Sequence, residues 1–66
     1  MLVNFSKLNK GDVFIFQGDK AVKTHFHYIT NGFRTFPTNA RFINGTMIGH
    51  EVFFKHDTKV IKEDKL

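Results

Sequence analysis

Two histidines separated by one residue, His25 and His27, are the first candidates for chemistry in this sequence. On a β-strand their rings would point to the same side, so they could begin a metal site if His50 or His56 came close, or pair with an aspartate as acid and base. No third metal ligand stands at a diagnostic spacing. The chain has no cysteine, and its single serine, Ser6, belongs to no nucleophile motif. The sequence therefore predicts no metal site, no cofactor and no enzymatic activity.

Cationic and aromatic side chains form a stronger pattern. Arg34 and Arg41 are the only arginines, and both lie among aromatic residues. Arginine beside exposed rings is typical of protein interfaces, but barrels that bind single-stranded nucleic acid also stack bases on rings and hold phosphates with nearby cations. The first hypothesis is a protein-binding surface formed by Arg34, Arg41, Phe33, Phe36 and Phe42. The second is a nucleic-acid-binding surface formed by Lys23, His25, His27, Arg34 and Arg41.

Length and charge limit the class of protein. The 66 residues carry a net charge of +4 and nine phenylalanines, which predicts one small domain, residues 1–66, stabilised by apolar packing. A basic chain favours anionic partners, here an acidic protein surface first and nucleic acid second. No apolar stretch approaches the ~20 residues of a membrane span, so no membrane association is expected. The lack of cysteine and of a signal peptide favours a reducing cytoplasm.

Alternation and turn residues predict five antiparallel strands. The first covers 13–17, and a reversal at Gln17 to Lys20 leads into the second, 20–30. In this second strand the expected core face holds Val22, Thr24, Phe26 and Tyr28, and the expected solvent face holds Ala21, Lys23, His25, His27 and Ile29.

The later strands are predicted from two hairpin signals of the same kind. Asn31-Gly32 and Asn44-Gly45 each indicate a type I′ turn. Pro37 either stops regular pairing or places its stretch at an edge, and Thr38-Asn39 is expected to be a loop. The remaining strands are expected at 40–43, 46–55 and 58–61. Residues 1–9 are expected to be an irregular lead-in whose Phe5 and Leu8 close one end of an SH3-like barrel, with an OB-like barrel as second choice.

The opening Phe5-Ser6-x-Leu8-x-x-Gly11-Asp12-Val13-Phe14 resembles that of small proteins encoded by bacteriophages and mobile elements. Val22-Lys23-Thr24 and Val52-Phe53-Phe54 are similar to later parts of the same pattern. The resemblance implies a small SH3-like β-barrel, a phage or prophage origin and a bacterial host cytoplasm, and it brings no site residues. The segment 31–46 is longer than the family pattern, so a specific function could have been added there.

Three functions follow as hypotheses. The first is a non-enzymatic accessory module that binds and modulates a host protein through the Arg and aromatic face. The alternative is a small nucleic-acid-binding barrel. The weaker alternative is a self-assembling protein whose edge strand near Pro37 pairs with a copy of itself.

Overall fold

The computed structural model describes residues 2–63, which form one antiparallel sheet. Its strand order is β1-β6-β2-β3-β4-β5, so the predicted all-β antiparallel class is confirmed. Six strands form rather than five, because the lead-in adds a short strand beside the last one. Among residues 2–63 no helix is long and apolar enough to cross a membrane. The elements are β1 (Leu2–Asn4), a 3-10 helix (Phe5–Lys7), β2 (Val13–Phe16), β3 (Asp19–Asn31), β4 (Arg34–Phe42), β5 (Glu51–Val52) and β6 (Lys59–Lys62).

Two-residue loops join β2 to β3 and β3 to β4. In the first loop Gln17 and Gly18 both have positive φ, 52° and 87°, the geometry of a type I′ turn, and the predicted reversal is confirmed. In the second, Asn31 lies opposite Arg34, and Gly32 has a φ of 65°. Phe33 does not share the positive φ, so the turn is of type II′. The Asn31-Gly32 hairpin is confirmed. The two central residues of its turn are Gly32 and Phe33, however, whereas the predicted type I′ turn has Asn31 and Gly32 at its centre.

The core is a cluster of aromatic rings centred on Phe54. Its ring lies 5.3 Å from those of Phe5 and Phe14 and 5.0 Å from that of Phe16, spacings at which aromatic pairs attract beyond their simple burial. Phe5 and Leu8 are buried, as the sequence predicted, although the lead-in that carries them is a strand and a 3-10 turn rather than irregular. The buried apolar side chains are Phe5, Leu8, Phe14, Ala21, Ala40, Phe42, Phe54 and Val60.

The predicted core face of β3 is wrong. Ala21, expected in solvent, is fully buried opposite Phe42, whereas Phe26 and Tyr28, expected in the core, are 55% and 63% exposed. For Phe26 and Tyr28 the reason is that β2 pairs with β3 only as far as Val22. Beyond this point β3 leaves the core with β4 alone beside it, so alternation no longer reports burial.

Residues 38–39 are not a loop. Thr38 and Asn39 lie inside β4 and are buried, because the strand continues through Pro37, which is paired with Tyr28. Pairs in an antiparallel ladder alternate between hydrogen-bonded and non-hydrogen-bonded, and counting from the turn makes the Tyr28 and Pro37 pair non-hydrogen-bonded. The missing N–H of Pro37 therefore removes no hydrogen bond between β3 and β4. Of the two alternatives predicted for Pro37, the structure shows the edge position.

The second predicted Asn-Gly hairpin is also wrong, because residues 43–50 form a longer loop and the expected strand 46–55 shrinks to β5. Gly45 and Gly49 have φ of 81° and 85°, which extended strands do not contain. The loop is closed by two backbone bonds, from Gly49 N to Phe42 O (2.9 Å) and from Phe42 N to His50 O (3.0 Å).

Candidate functional site

The distal part of the β3–β4 hairpin, residues 24–38, extends away from the core and is called the arm. β3 has 13 residues, which at ~3.4 Å per residue span about 44 Å, and the longest dimension of the molecule is 41 Å. Each buried apolar residue in the described part of the chain lies outside the arm. The arm therefore contributes surface rather than core.

The surface of the arm is aromatic and almost uncharged. Residues 24–38 contain no Lys, Asp or Glu, and Arg34 is their one arginine. Exposed aromatic surface on this scale in a small protein marks an interaction site more often than chance exposure. The exposed rings are Phe26 (55%), Tyr28 (63%), Phe33 (109%) and Phe36 (39%).

The tip of the arm carries one aromatic ring, that of Phe33, and one cationic side chain, that of Arg34. Because the loop has only two residues, Phe33 stands at its apex, fully in solvent, with Arg34 directly after it. Gly32 supplies the positive φ that the turn requires. A rigid two-residue turn holds both side chains at a fixed point, which lowers the entropy lost when a partner is bound.

An apolar groove of about 640 Å³ lies between the arm and the segment around β5. Phe53 reaches the arm from this segment, with its ring 6.0 Å from that of Phe26. The volume matches that of clefts that hold a peptide side chain or a small ligand. The groove is lined by Ile29, Asn31, Phe36, Pro37, His50, Glu51, Val52 and Phe53.

A polar contact braces the base of the arm against β5. His27 Nε2 lies 2.9 Å from a carboxylate oxygen of Glu51 and 3.2 Å from the hydroxyl of Thr38. The rings of His25 and His27 are 4.7 Å apart and share one side of the strand, as expected from their spacing. Within residues 2–63 no group of three His, Asp or Glu side chains is placed to hold a metal ion.

The protein-binding set predicted from sequence divides into two parts. Phe33, Arg34 and Phe36 lie together on the exposed arm. Phe42 was predicted wrongly: it is 8% exposed and packs against Phe54. Arg41 is exposed but lies seven residues from Arg34 along β4, or about 23 Å, outside the arm.

The nucleic-acid-binding set is not brought together. Lys23 Nζ donates to the carbonyl oxygens of Leu8 (2.7 Å) and Phe5 (3.2 Å), and it lies over the Phe5 ring. This ammonium group stabilises the 3-10 turn and is not free to bind phosphate. His27 is paired with Glu51, and Arg41 lies about 23 Å from Arg34 along β4, so the set does not form one cationic surface.

Sequence reasoning missed Phe26, Tyr28 and Phe53 as surface residues. A signal was present, because a fifteen-residue stretch without Lys, Asp or Glu is unusual in a chain that is 24% charged. Alternation within that stretch predicted Phe26 and Tyr28 on the core face of a strand, whereas both lie on an exposed apolar surface. No protein-family model, curated protein or solved structure matches this chain.

Proposed function

We propose that this chain is a non-enzymatic accessory module, of the phage type that its opening resembles, which binds and modulates a protein of a bacterial host through the arm. The observation that carries the proposal is the exposed tip of the arm. Phe33 and Arg34 stand there on a two-residue turn, and the apolar groove beside Phe36 continues the same surface. Aromatic residues and arginine supply most of the binding energy of protein interfaces.

The partner surface that fits this arm has an apolar pocket with an acidic rim. Phe33 is large enough to fill such a pocket, and its burial would remove roughly 200 Å² of apolar surface from water. Arg34 would pair with a carboxylate at the rim, and no acidic side chain of the arm competes for it. Phe36 and the groove would take a neighbouring side chain of the partner.

Charge placement favours a protein over nucleic acid. Nucleic-acid binding requires several cations along one surface, because its affinity comes largely from phosphate neutralisation. The arm offers Arg34 and His25 as exposed basic side chains, while Lys23 and His27 are occupied by contacts within the chain. The remaining positive charge of the chain lies outside the arm and accounts for generic attraction to anions.

The test is capture from a bacterial lysate followed by a titration of the captured protein. We expect Phe33→Ala, Arg34→Ala and Phe36→Ala each to weaken the affinity about tenfold or more, as hot-spot truncations do. Arg41→Ala is the matched control, because it removes the same charge from an exposed position outside the arm, and it should change the affinity less than about twofold.

The same variants are titrated with labelled single-stranded and double-stranded nucleic acid at low and physiological salt. Binding that is tight at physiological salt, falls steeply as salt rises and is lost in Arg34→Ala would replace the proposal with the nucleic-acid alternative. Equal loss of the captured protein in Arg34→Ala and Arg41→Ala would contradict the arm as the contact surface.

A further inference from the structure

Among residues 2–63, the outer edge of β3 has no backbone partner along the arm. β2 and the preceding turn cover this edge only as far as Lys23, whose N–H donates to Asp12 O at 2.9 Å and whose carbonyl accepts from Gly11 N at 2.8 Å. Between residues 24 and 31 no backbone hydrogen bond from another element of residues 2–63 reaches this side. The alternation of pairs with β4 directs the N–H and C=O groups of Tyr28 and Thr30 outward.

From His27 to Asn31, where pairing with β4 is regular, this edge lacks the features that protect sheet edges in monomeric proteins, and the one irregularity of the ladder lies nearer the core, between Lys23 and His27. Natural edges carry charged residues, especially Lys, or Pro, or bulges that turn the edge away. Residues 24–31 contain no charged residue other than histidine and no Pro. The opposite edge of the arm is protected, because Pro37 stands there with its nitrogen directed outward and no hydrogen to donate. The two edges of the hairpin therefore differ, because Pro37 protects the β4 edge and no proline protects the β3 edge.

We propose that β3 pairs with β3 of a second copy of this chain, antiparallel and centred on Tyr28, so that two arms form a continuous four-stranded sheet. A neutral edge accepts an identical copy without charge repulsion, although each chain carries +4 overall. Antiparallel pairing directs the two tips to opposite ends, so the two copies of Arg34 are kept apart. In this register His27 of each copy would lie opposite Ile29 of the other, within the part of β3 that pairs regularly with β4.

The area involved sets the strength of the dimer. Phe26 and Tyr28 are 55% and 63% exposed, which corresponds to roughly 250 Å² of ring surface per copy. A specific interface covers about 800 Å² per partner, so the strand backbone and the side chains around the rings must supply the rest. A reversible dimer that depends on concentration is therefore expected. The inference does not rest on the proposed function.

Sedimentation of the purified chain tests this pairing with two matched proline variants. Thr30→Pro removes an outward N–H from the β3 edge, and Thr35→Pro removes the equivalent outward N–H from the β4 edge of the same pair. We expect the wild-type mass to rise from 7.7 kDa towards twice that value as concentration increases. Thr30→Pro should stay monomeric, and Thr35→Pro should dimerise like the wild type. A wild type that is monomeric at several hundred micromolar, or equal effects of the two variants, would overturn the proposal.

A disulfide test reports the register without relying on proline. The chain has no cysteine, and directly opposed residues of a hydrogen-bonded antiparallel pair have Cα atoms about 5.5 Å apart, within the range for a disulfide. Tyr28→Cys should form a disulfide-linked dimer under mild oxidation, whereas Thr30→Cys and Thr35→Cys should form little. Equal cross-linking of all three would contradict pairing centred on Tyr28. Circular dichroism of each variant verifies that the chain is folded.

Discussion

The side-chain amide of Asn39 is hydrogen-bonded to both backbone polar groups of Phe54. Asn39 Nδ2 donates to Phe54 O at 2.9 Å, and Phe54 N donates to Asn39 Oδ1 at 2.8 Å. Phe54 follows the short strand β5 and has no ladder of its own, so one side chain replaces the strand partner that its backbone lacks. This contact places the central ring of the core.

Asn39→Ala should lower the free energy of unfolding by about 2–4 kcal/mol, because a buried N–H and a buried C=O of Phe54 would both lose their partner. Urea unfolding followed by fluorescence or circular dichroism measures the change. Asn31→Ala, an exposed asparagine on the same hairpin, is the control and should change stability by less than about 0.5 kcal/mol. Similar effects of the two variants would show that the amide contact to Phe54 contributes little.

Adjacent phenylalanines should differ sharply. Phe54→Ala removes the ring at the centre of the aromatic cluster and should destabilise the fold by about 3–5 kcal/mol. Phe53→Ala removes a ring that is 44% exposed and should have an effect of about 1 kcal/mol or less. Thermal unfolding of both variants gives the comparison, and equal losses would contradict the position of Phe54 in the core.

Lys23→Met should be destabilising even though it keeps the apolar part of the side chain. The ammonium group donates to the carbonyl oxygens of Phe5, the first residue of the 3-10 helix, and of Leu8, the residue that follows it, and hydrogen bonds from charged groups contribute about 1.5–3 kcal/mol. Lys10→Met, at an exposed neighbouring position, is the control and should have little effect on stability. Chemical denaturation checks this, and an unchanged midpoint for Lys23→Met would show that the ammonium group does not stabilise the turn.

Two glycines in the loop 43–50 provide a matched pair. Gly45 and Gly49 have nearly equal positive φ, so alanine should strain the backbone at both, by about 1–2 kcal/mol. At Gly45 the added Cβ would also lie 2.6 Å from Cγ of Asp19, whereas at Gly49 it would meet nothing within 4 Å. Gly45→Ala should therefore lower the melting temperature more than Gly49→Ala does. In the presence of Asp19→Ala, the melting temperatures of Gly45→Ala and Gly49→Ala should differ less. If the difference is unchanged with Asp19→Ala present, the clash with Asp19 is not its cause.

The sequence predicted the parts of the fold that depend on local signals. Gln17-Gly18 and Asn31-Gly32 marked real reversals, because a positive φ is a property of the turn itself. Phe5 and Leu8 were predicted inside, because they are three residues apart and one turn of backbone can direct both side chains to the same side. Asn44-Gly45 carried the same signal and failed, because a second glycine, Gly49, bends the chain again and prevents a continuous strand.

The candidate site was predictable only in part. Phe33, Arg34 and Phe36 follow from composition near a hairpin turn, but the exposure of Phe26 and Tyr28 does not. Alternation tells which residues share a face and not whether anything covers that face. Only the tertiary structure shows that β2 begins at Val13, opposite Val22, while β3 continues past this pair to Asn31. The roles of Lys23 and Asn39 depend on contacts with residues distant in the sequence, so the sequence did not predict them.

The separation of the arm from the core has a consequence for how this protein can change over generations. Substitutions at the core rings are constrained by packing, since each of them touches several others. Most substitutions in the outer arm meet solvent and alter stability little. The arm can therefore accept new side chains, and with them new specificity, while the rest of the chain keeps folding. A chain of 66 residues has little stability to spare, and this division lets natural selection act on recognition without first having to compensate for a weakened fold.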